Sequence, residues 1–311
     1  MKQPPKSTRG SALVAVLLLI AILGMAMMAT LRVISFDLEV ASSKIHGSRA
    51  KHVAEMGIAV GSNPSVKRTD PLLHYTNEEL GERYDVRIIS EGGRFNINYI
   101  LLKEDKPLLR SIFIDFGLDI DTAGAVADAL GDWVDADDES ALNGAEIDWY
   151  LKEGRINQPF NRPFYSLDEM RLVRGMELVE AAKPDWRDWF TVWSSGGLDV
   201  NDAEPALIAA AAEVNVEQAD VIPETVRGPD GIRDTRDDTP FQSAEAALQL
   251  LGVAAESRPD IAARFSANDS TARIESTGVA EGATRRITVV LRNRTGRPAL
   301  LDKTIEILPS E

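Results

Sequence analysis

Acidic side chains fill the stretch between Arg110 and Lys152, which holds eleven aspartates and glutamates and no lysine or arginine. The densest part is Asp135-Ala-Asp-Asp-Glu139, and Glu146 and Asp148 follow at loop distance. Like charges at this spacing repel one another unless water or a cation lies among them. Calcium takes about six to eight oxygen ligands from carboxylates, carbonyls and water. The spacing is not that of an EF-hand loop, so the charges predict either a solvated acidic loop or a calcium site of another kind.

A second acidic loop has the sequence GPDGIRDTRDD and begins at Gly228. Its four aspartates are candidates for a second calcium site: Asp230, Asp234, Asp237 and Asp238. Three arginines stand in or beside this loop and would neutralise the aspartates as well as a cation would: Arg227, Arg233 and Arg236. Both interpretations of the loop stay open.

The sequence has few candidates for a nucleophile or a general base. The chain has no cysteine, which excludes disulfides, thiolate zinc sites and cysteine nucleophiles. The three histidines are His46, His52 and His74, so the rest of the chain lacks the commonest general base. Paired carboxylates can hydrolyse glycosides when their geometry is right, and a membrane-anchored periplasmic hydrolase therefore stays an alternative. The formal net charge of −15 repels phosphates and disfavours a nucleic-acid partner.

The N-terminus predicts a membrane anchor. Residues 11–31 carry no charge and would span about 31 Å as a helix, close to the hydrocarbon thickness of a bilayer. The run is too long for an ordinary signal peptide. Lys2, Lys6 and Arg9 precede it, which predicts a cytoplasmic N-terminus and a periplasmic bulk.

The helix is expected to continue beyond the membrane for about 50 residues in all, because no proline occurs before Pro64 and apolar residues recur at three- or four-residue steps. These residues are Ile34, Leu38, Ala41, Ile45, Val53, Met56 and Val60. An anchored enzyme more often has a flexible linker at this point.

The remaining sequence predicts a small α+β unit interrupted by helices. Apolar residues alternate at Val86 and Ile88 and again at Phe95, Ile97 and Tyr99, which predicts two strands around Gly92-Gly93. Further strands are predicted over 271–276, 285–293 and 302–308. Helices are predicted over 107–116, 122–134, 166–174, 203–214 and 243–251. Ser166 and Glu169 have the spacing of a capping box at the start of one helix.

The N-terminal features together resemble a type IV pilin or pseudopilin, namely a basic leader that ends in Gly10, an apolar run and one long helix. The segments EGGRFNINYIL, FGLDIDTAGAVADALGDWVDADDE, GAEIDWY, NRPFYSLDEMRLVRGM and TVWSSGGLDVNDAEPALI narrow the resemblance. In this order they resemble the K-class minor pseudopilin of type II secretion. The family's usual Asn-x-Asn-Thr-Ala-Pro appears in a looser form at residues 200–205, and residues 213–239 are the least familiar part.

The resemblance implies an α+β fold in which a long N-terminal helix packs on a small antiparallel sheet, with a large inserted all-α domain. The implied boundaries are a leader at 1–10, an assembly helix at 11–63, an α+β domain at 64–103 and 267–311, and the helical insert at 104–266. A prepilin peptidase would cut between Gly10 and Ser11, and the new amino group on Ser11 would be methylated. Pilins usually carry Glu at the fifth position after the cut, where this chain has Ala15.

The missing carboxylate and the bulky insert together favour the tip of the pseudopilus, above the I-class and J-class minor pseudopilins and the shaft. The expected role is to initiate or cap a filament that exports folded proteins across the outer membrane, from a single-pass position in the inner membrane and without enzymatic activity. The family is thought to bind calcium in its helical domain, and the ligands expected here are Asp135, Asp137, Glu139, Glu146 and Asp148. A minor pilin of a type IV pilus or a DNA-uptake system is the alternative within the same fold.

Overall fold

The computed structural model describes residues 9–309 and, for side chains, residues from Leu13 onward. Residues 1–8 of the expected leader lie outside the described part of the chain. The first helix, α1 (Arg9–Ser62), has 54 residues without a break and extends for about 80 Å. This confirms the prediction of one long helix. Its N-terminal part includes a stretch that is long and apolar enough to cross a bilayer.

The second half of α1 packs on a five-stranded sheet. Its strands are β1 (His74–Asn77), β2 (Glu82–Ser90), β7 (Thr271–Ala280), β8 (Ala283–Arg292) and β9 (Ala299–Leu308). They lie in this order across the sheet, and all neighbouring strands are antiparallel. The sheet thus joins segments from both ends of the chain, and the predicted C-terminal strands are confirmed.

Small residues make the contact between α1 and the sheet. Ala50 and Ala54 are fully buried, and a side chain at Gly57 would overlap Ser276 on β7. Opposite them, a Cβ at Gly278 would overlap the backbone of α1 at Ala50 and Ala54. The helix therefore lies directly on β7, because neither surface has a large side chain at the crossing point.

Most of the apolar residues that predicted the continuation of α1 point away from this contact. Val53 is buried, whereas Ile34, Leu38, Ile45 and Met56 are between 49% and 66% exposed. Exposed apolar side chains on a helix mark a surface that another apolar partner covers, either lipid or protein.

The segment between β2 and β7 folds mainly as short helices, as the sequence predicted. They are α2 (Ile97–Leu102), α3 (Lys106–Asp115), α4 (Ile120–Val134), α5 (Ile147–Lys152), α6 (Leu167–Met170), α7 (Met176–Ala182), α8 (Pro205–Ala212), α9 (Val216–Ala219), α10 (Val221–Arg227), α11 (Ala244–Leu250) and α12 (Pro259–Ala262). Two short parallel pairs lie among them, β3 (Phe95–Asn96) with β4 (Phe190–Thr191) and β5 (Leu198–Asp199) with β6 (Phe265–Ser266). Trp133, Tyr150 and Trp186 are fully buried in the core of this helical region.

The predicted strand from Phe95 to Tyr99 was wrong for its second half. Only Phe95 and Asn96 are extended, and they pair with β4 rather than with β2. Asn96 then caps α2, because its side-chain oxygen accepts the N–H of Tyr99 at 3.2 Å. Ile97 and Ile100 are buried in the helical core by this turn of the chain, so the apolar alternation reflected packing and not a strand.

The predicted capping box at α6 was also wrong. Ser166 stands at the N-cap position, but its hydroxyl makes no capping hydrogen bond. Glu169 instead accepts hydrogen bonds from the Trp133 indole at 3.1 Å and from Arg162 at 3.0 and 3.1 Å. The carboxylate therefore joins α6 to α4, and its local bond is with the N–H of Tyr165, one residue before the N-cap, at 3.2 Å.

Buried ion pairs connect the helical region to the sheet. Glu91 is 1% exposed and pairs with Arg273 of β7 at 2.7 Å, while it also accepts the Thr191 hydroxyl at 2.5 Å. Asp202, near the start of α8, pairs with Arg68 at 2.5 Å and with Arg233 at 2.6 Å. The two regions therefore meet through charge-assisted hydrogen bonds as well as apolar packing.

Candidate metal centre

Three carboxylates converge where α4 ends. Asp132 lies in the last turn of α4, Asp135 directly follows the helix, and Glu146 precedes α5. One oxygen from each lies within 4.8 Å of the others. Among the described residues, these three carboxylates are close enough together to hold one cation.

Glu146 is the most unusual member of the group. Its side chain is 4% exposed, and neither of its two oxygens has a hydrogen-bond partner among the described residues. A buried carboxylate without partners is costly, since the charge has lost water and gained nothing in its place. A bound cation would supply the missing partner.

Burial and neighbouring charge raise the pKa of Glu146 to about 7. Desolvation is the largest cause, followed by the negative charges of Asp132 and Asp135. Desolvation likewise raises the pKa of Asp132 and of Asp135 above their ordinary values. Without a cation the three groups therefore resist being ionised together.

The loop between α4 and α5 is folded over the helix end by hydrogen bonds to Asp132. The backbone N–H of Ala141 donates to both oxygens of Asp132 at 3.2 and 3.1 Å. Gly144 passes so close that any Cβ there would overlap the Asp132 carboxylate. These contacts bring Glu146 back beside Asp132, although 14 residues separate them in sequence.

The structure brings together two of the five expected ligands, Asp135 and Glu146. Asp137, Glu139 and Asp148 are exposed and lie outside the group. Asp137 accepts the N–H of Glu139 at 2.9 Å, so it organises the loop backbone. Asp148 lies in the first turn of α5, where a negative charge favours the helix dipole.

Asp132 was missing from the expected ligands. The signal for it was present in the sequence, because Asp132 and Asp135 are three residues apart at the end of a predicted helix and therefore share one face. Its 1% exposure depends on the returning loop, which no local pattern specifies.

The carboxylates of the second acidic loop are engaged with the loop itself. Asp237 accepts the N–H of Asp230 at 3.0 Å, and Asp238 accepts the N–H of Asp234 at 2.9 Å. None of the four aspartates belongs to a close group of potential ligands among the described residues. Arg233 turns toward Asp202, outside the loop. A cation at this loop stays a prediction.

The processing positions lie at the beginning of the described chain. Gly10 and Ser11 fall within the helical span of α1, and their side chains lie outside the described set. Ala15, at the position where pilins usually carry Glu, is exposed on α1. Its neighbours Leu13, Val14, Val16 and Leu17 are all more than half exposed.

Comparison with known proteins finds similarity to one protein family. Residues 93–184 match the family model described as "Type II secretion system (T2SS), protein K". A curated relative of the same name from Pseudomonas aeruginosa is 31% identical over 179 residues, which are 54% of this chain and 51% of the relative. Over these residues the chain is similar to the type II secretion system protein K family.

A second curated protein of the same name, from Dickeya chrysanthemi, is 37% identical over 70 residues, or 22% of this chain and 19% of that protein. This chain therefore matches about half the length of the first relative and about a fifth of the second. The family model covers β3 through α7 and hence the three carboxylates of the candidate metal centre.

The fold agrees with that of a solved structure, the crystal structure of the GspK-GspI-GspJ complex from the enterotoxigenic Escherichia coli type 2 secretion system. The TM-score is 0.55 at 14% identity, and the match covers 88% of this chain and 98% of that one. At this identity the match shows a common fold, which is the α+β architecture of a long N-terminal helix, an antiparallel sheet and a helical insert.

Proposed function

We propose that this chain is a minor pseudopilin, a non-enzymatic subunit that joins others of its kind by packing the exposed apolar face of α1 against their N-terminal helices. The observation that carries the proposal is α1 itself. The large apolar side chains from Leu13 to Leu38 are half or more exposed. The same helix continues without a linker to the part that packs on the sheet. A rigid connection between membrane segment and folded domain suits a subunit that transmits filament geometry.

The place proposed for this subunit is the tip of the pseudopilus, where it would initiate or cap assembly for export of folded proteins. Ala15 provides no carboxylate to pair with the amino group of a neighbouring subunit, and a subunit with nothing above it does not need one. The helical insert adds bulk at the side of the sheet, which suits the end of a filament better than its interior. The solved relative, described as a complex of GspK with GspI and GspJ, supports I-class and J-class minor pseudopilins as partners.

The proposed orientation is a single pass through the inner membrane with the N-terminus cytoplasmic and the folded domain periplasmic. The basic residues before the apolar run support it. Prepilin peptidase would remove the leader after Gly10, and Ser11 would then carry the methylated amino group.

Mass spectrometry of the mature N-terminus tests this proposal. The expected result is a chain that begins at N-methylated Ser11. An intact Met1, or a start after residue 29, would refute the pseudopilin assignment.

Cross-linking tests the assembly surface, and the absence of native cysteine makes the experiment clean. Ile45→Cys places a thiol on the exposed face of α1, and Leu102→Cys places one on the helical region as a matched control; both native side chains are exposed. We expect a thiol-specific cross-linker to join Ile45→Cys, and not Leu102→Cys, to a minor pseudopilin produced in the same cells. Equal yields at the two positions would contradict the proposed surface.

We also propose that the candidate metal centre binds calcium through Asp132, Asp135 and Glu146, with carbonyl or water oxygens completing the shell. Three carboxylate donors suit a hard cation that prefers oxygen. The expected result is a lower melting temperature in chelator that calcium restores. An unchanged melting temperature would refute calcium binding, but it would leave the proposal that this chain is a minor pseudopilin unaffected.

A further inference from the structure

Strand β9 (Ala299–Leu308) forms one edge of the five-stranded sheet. It pairs with β8 along one side, and no strand among residues 9–309 pairs with its other side. Alternate N–H and C=O groups of an edge strand point away from the sheet and are free to pair with a further strand. The opposite edge is β1, which has only four residues.

Long edge strands are usually protected by a covering element, a bulge or inward charge. Here Leu300 is 60% exposed, Ile305 is 45% exposed and Ile307 is 75% exposed. The register shift opposite Val290 and Leu291 leaves one extra residue in β9, Leu301; this bulge lies near the start of β9, and the pairing from Asp302 to Leu308 is regular. Most of β9 is therefore a flat edge that no described element covers.

The two faces of β9 have different chemistry. Ile305 lies opposite Ile287, which belongs to the core between the sheet and α1, so Ile305 and Ile307 share the face on the α1 side. Asp302, Thr304 and Glu306 alternate with them and share the other face. Lys303 lies with the isoleucines on the α1 side, and Glu306 on the other face lies 4.0 Å from Arg286 of β8. The edge thus has a mainly apolar face with one lysine and a face with two acidic residues.

We propose that β9 is a docking edge for an extended strand of another protein, one with basic residues beside Asp302 and Glu306 and apolar residues beside Ile305 and Ile307. Backbone hydrogen bonds would provide the affinity, and the alternating side chains would select the partner.

The charge pattern disfavours two of the registers in which a second copy of this chain could pair with β9. In the antiparallel self-pairing centred on Thr304, Asp302 stands opposite Glu306 twice. In the pairing centred on Lys303, that lysine stands opposite itself. Like charges directly opposite one another are destabilising. The register centred on Ile305 has no such pair, so a dimer through β9 is the competing outcome of the test below.

The proposal is independent of the proposed function, because it concerns the sheet edge and not α1. Lys303 of β9 lies 3.7 Å from Glu55, so the strand and the helix are neighbours on the surface, and a partner on β9 would add a contact beside the one on α1.

Two synthetic peptides test the proposal on the full chain in detergent, acetyl-VKVTVKV-amide and its acidic counterpart acetyl-VEVTVEV-amide. We expect the basic peptide to bind more tightly in a fluorescence anisotropy titration, and bound peptide to slow hydrogen exchange within residues 299–308. The double variant Asp302→Lys and Glu306→Lys is expected to lower affinity for the basic peptide about tenfold, because two opposite-charge pairs become like-charge pairs.

The matched control is Glu78→Lys with Glu79→Lys, the same change of charge on exposed residues at the other edge of the sheet. It should leave the affinity for the basic peptide unchanged. Absence of binding, equal affinity for both peptides, or exchange protection outside β9 would overturn the proposal. A concentration-dependent dimer that protects β9 without peptide would also overturn it, in favour of a second copy.

Discussion

Glu146 differs from an ordinary surface carboxylate because it has lost water without gaining a hydrogen bond. Its raised pKa follows from burial and from the charges of Asp132 and Asp135. The burial of Glu146, its lack of hydrogen-bond partners and the charges of Asp132 and Asp135 would all favour a divalent cation, since two positive charges offset the mutual repulsion.

Glu146→Gln is expected to have opposite effects with and without calcium. In chelator at pH 8 the amide removes a buried negative charge and should stabilise the protein by up to about 3.5 kcal/mol, because the pKa of Glu146 is raised from 4.5 to about 7 and each pKa unit corresponds to about 1.4 kcal/mol. In calcium the variant should lose most of the stabilisation that the wild-type protein gains. Thermal denaturation in both conditions measures the crossover, and Asp137→Asn, outside the group, serves as the control.

The sequence correctly placed Glu169 in a helix but wrongly predicted that its carboxylate would cap that helix. Its carboxylate is 7% exposed and contacts Trp133 and Arg162 instead of the local backbone cap. Removing one partner of a buried ion pair leaves the other uncompensated.

Glu169→Ala should therefore destabilise the helical region by about 3 kcal/mol. Ser166→Ala should change stability by less than about 0.5 kcal/mol, because the Ser166 hydroxyl makes no capping bond. Chemical denaturation followed by tryptophan fluorescence would compare the two variants. A loss of stability above about 0.5 kcal/mol for Ser166→Ala would mean that the Ser166 hydroxyl caps α6.

At the scale of elements, α1 and β7 are held together by close approach. Apolar periodicity correctly predicted the length of the helix but did not indicate which side contacts the sheet. The contact side is marked by Gly47, Ala50, Ala54, Gly57 and Gly61, whose small size lets backbone and sheet meet.

Gly278→Ala tests this contact. The added methyl group would overlap the backbone of α1, which cannot move without disturbing the whole helix, and overpacking of this kind typically costs about 1–3 kcal/mol. We expect a lower melting temperature for the full chain in detergent. Gly24→Ala adds the same methyl group inside α1 where no atom lies within 4 Å, and because alanine favours a helix over glycine it should not lower the melting temperature.

At the scale of the whole molecule, buried carboxylates couple stability to pH. Native Glu146 keeps its proton up to pH about 7, whereas the unfolded chain releases it near its ordinary value of 4.5. Asp199, buried where the helical region meets the sheet, has a pKa raised to about 6, mainly by desolvation. The native state binds more protons in both intervals, so stability falls as the pH rises through them.

In chelator, the melting temperature should therefore drop by about 5 °C or more between pH 4.5 and pH 7.5. Calcium should reduce the drop, since it stabilises the ionised group. Glu146→Gln should retain a smaller drop, which belongs to the other carboxylates with raised pKa values, Asp199, Asp132 and Asp135. A melting temperature that rises with pH in chelator would contradict the protonation states assigned to these groups.

The sequence by itself determined the long helix, the C-terminal strands and the acidic region, because each depends on patterns within one segment. An uncharged run of 21 residues is long enough to cross a bilayer as a helix, and alternation at 271–276 predicts a strand whatever its partners are. Charge density also located the candidate metal centre between α4 and α5.

Only the tertiary structure decided which acidic residues meet and which alternating segment is a strand. Asp132 joins Asp135 and Glu146 because a loop of the chain folds back over the end of α4, and that return depends on hydrogen bonds and on Gly144 fitting against a carboxylate. Phe95 and Ile97 alternate like a strand, yet the helical core buries them around a cap at Asn96. Contacts between distant segments control both outcomes, and local periodicity carries no information about them.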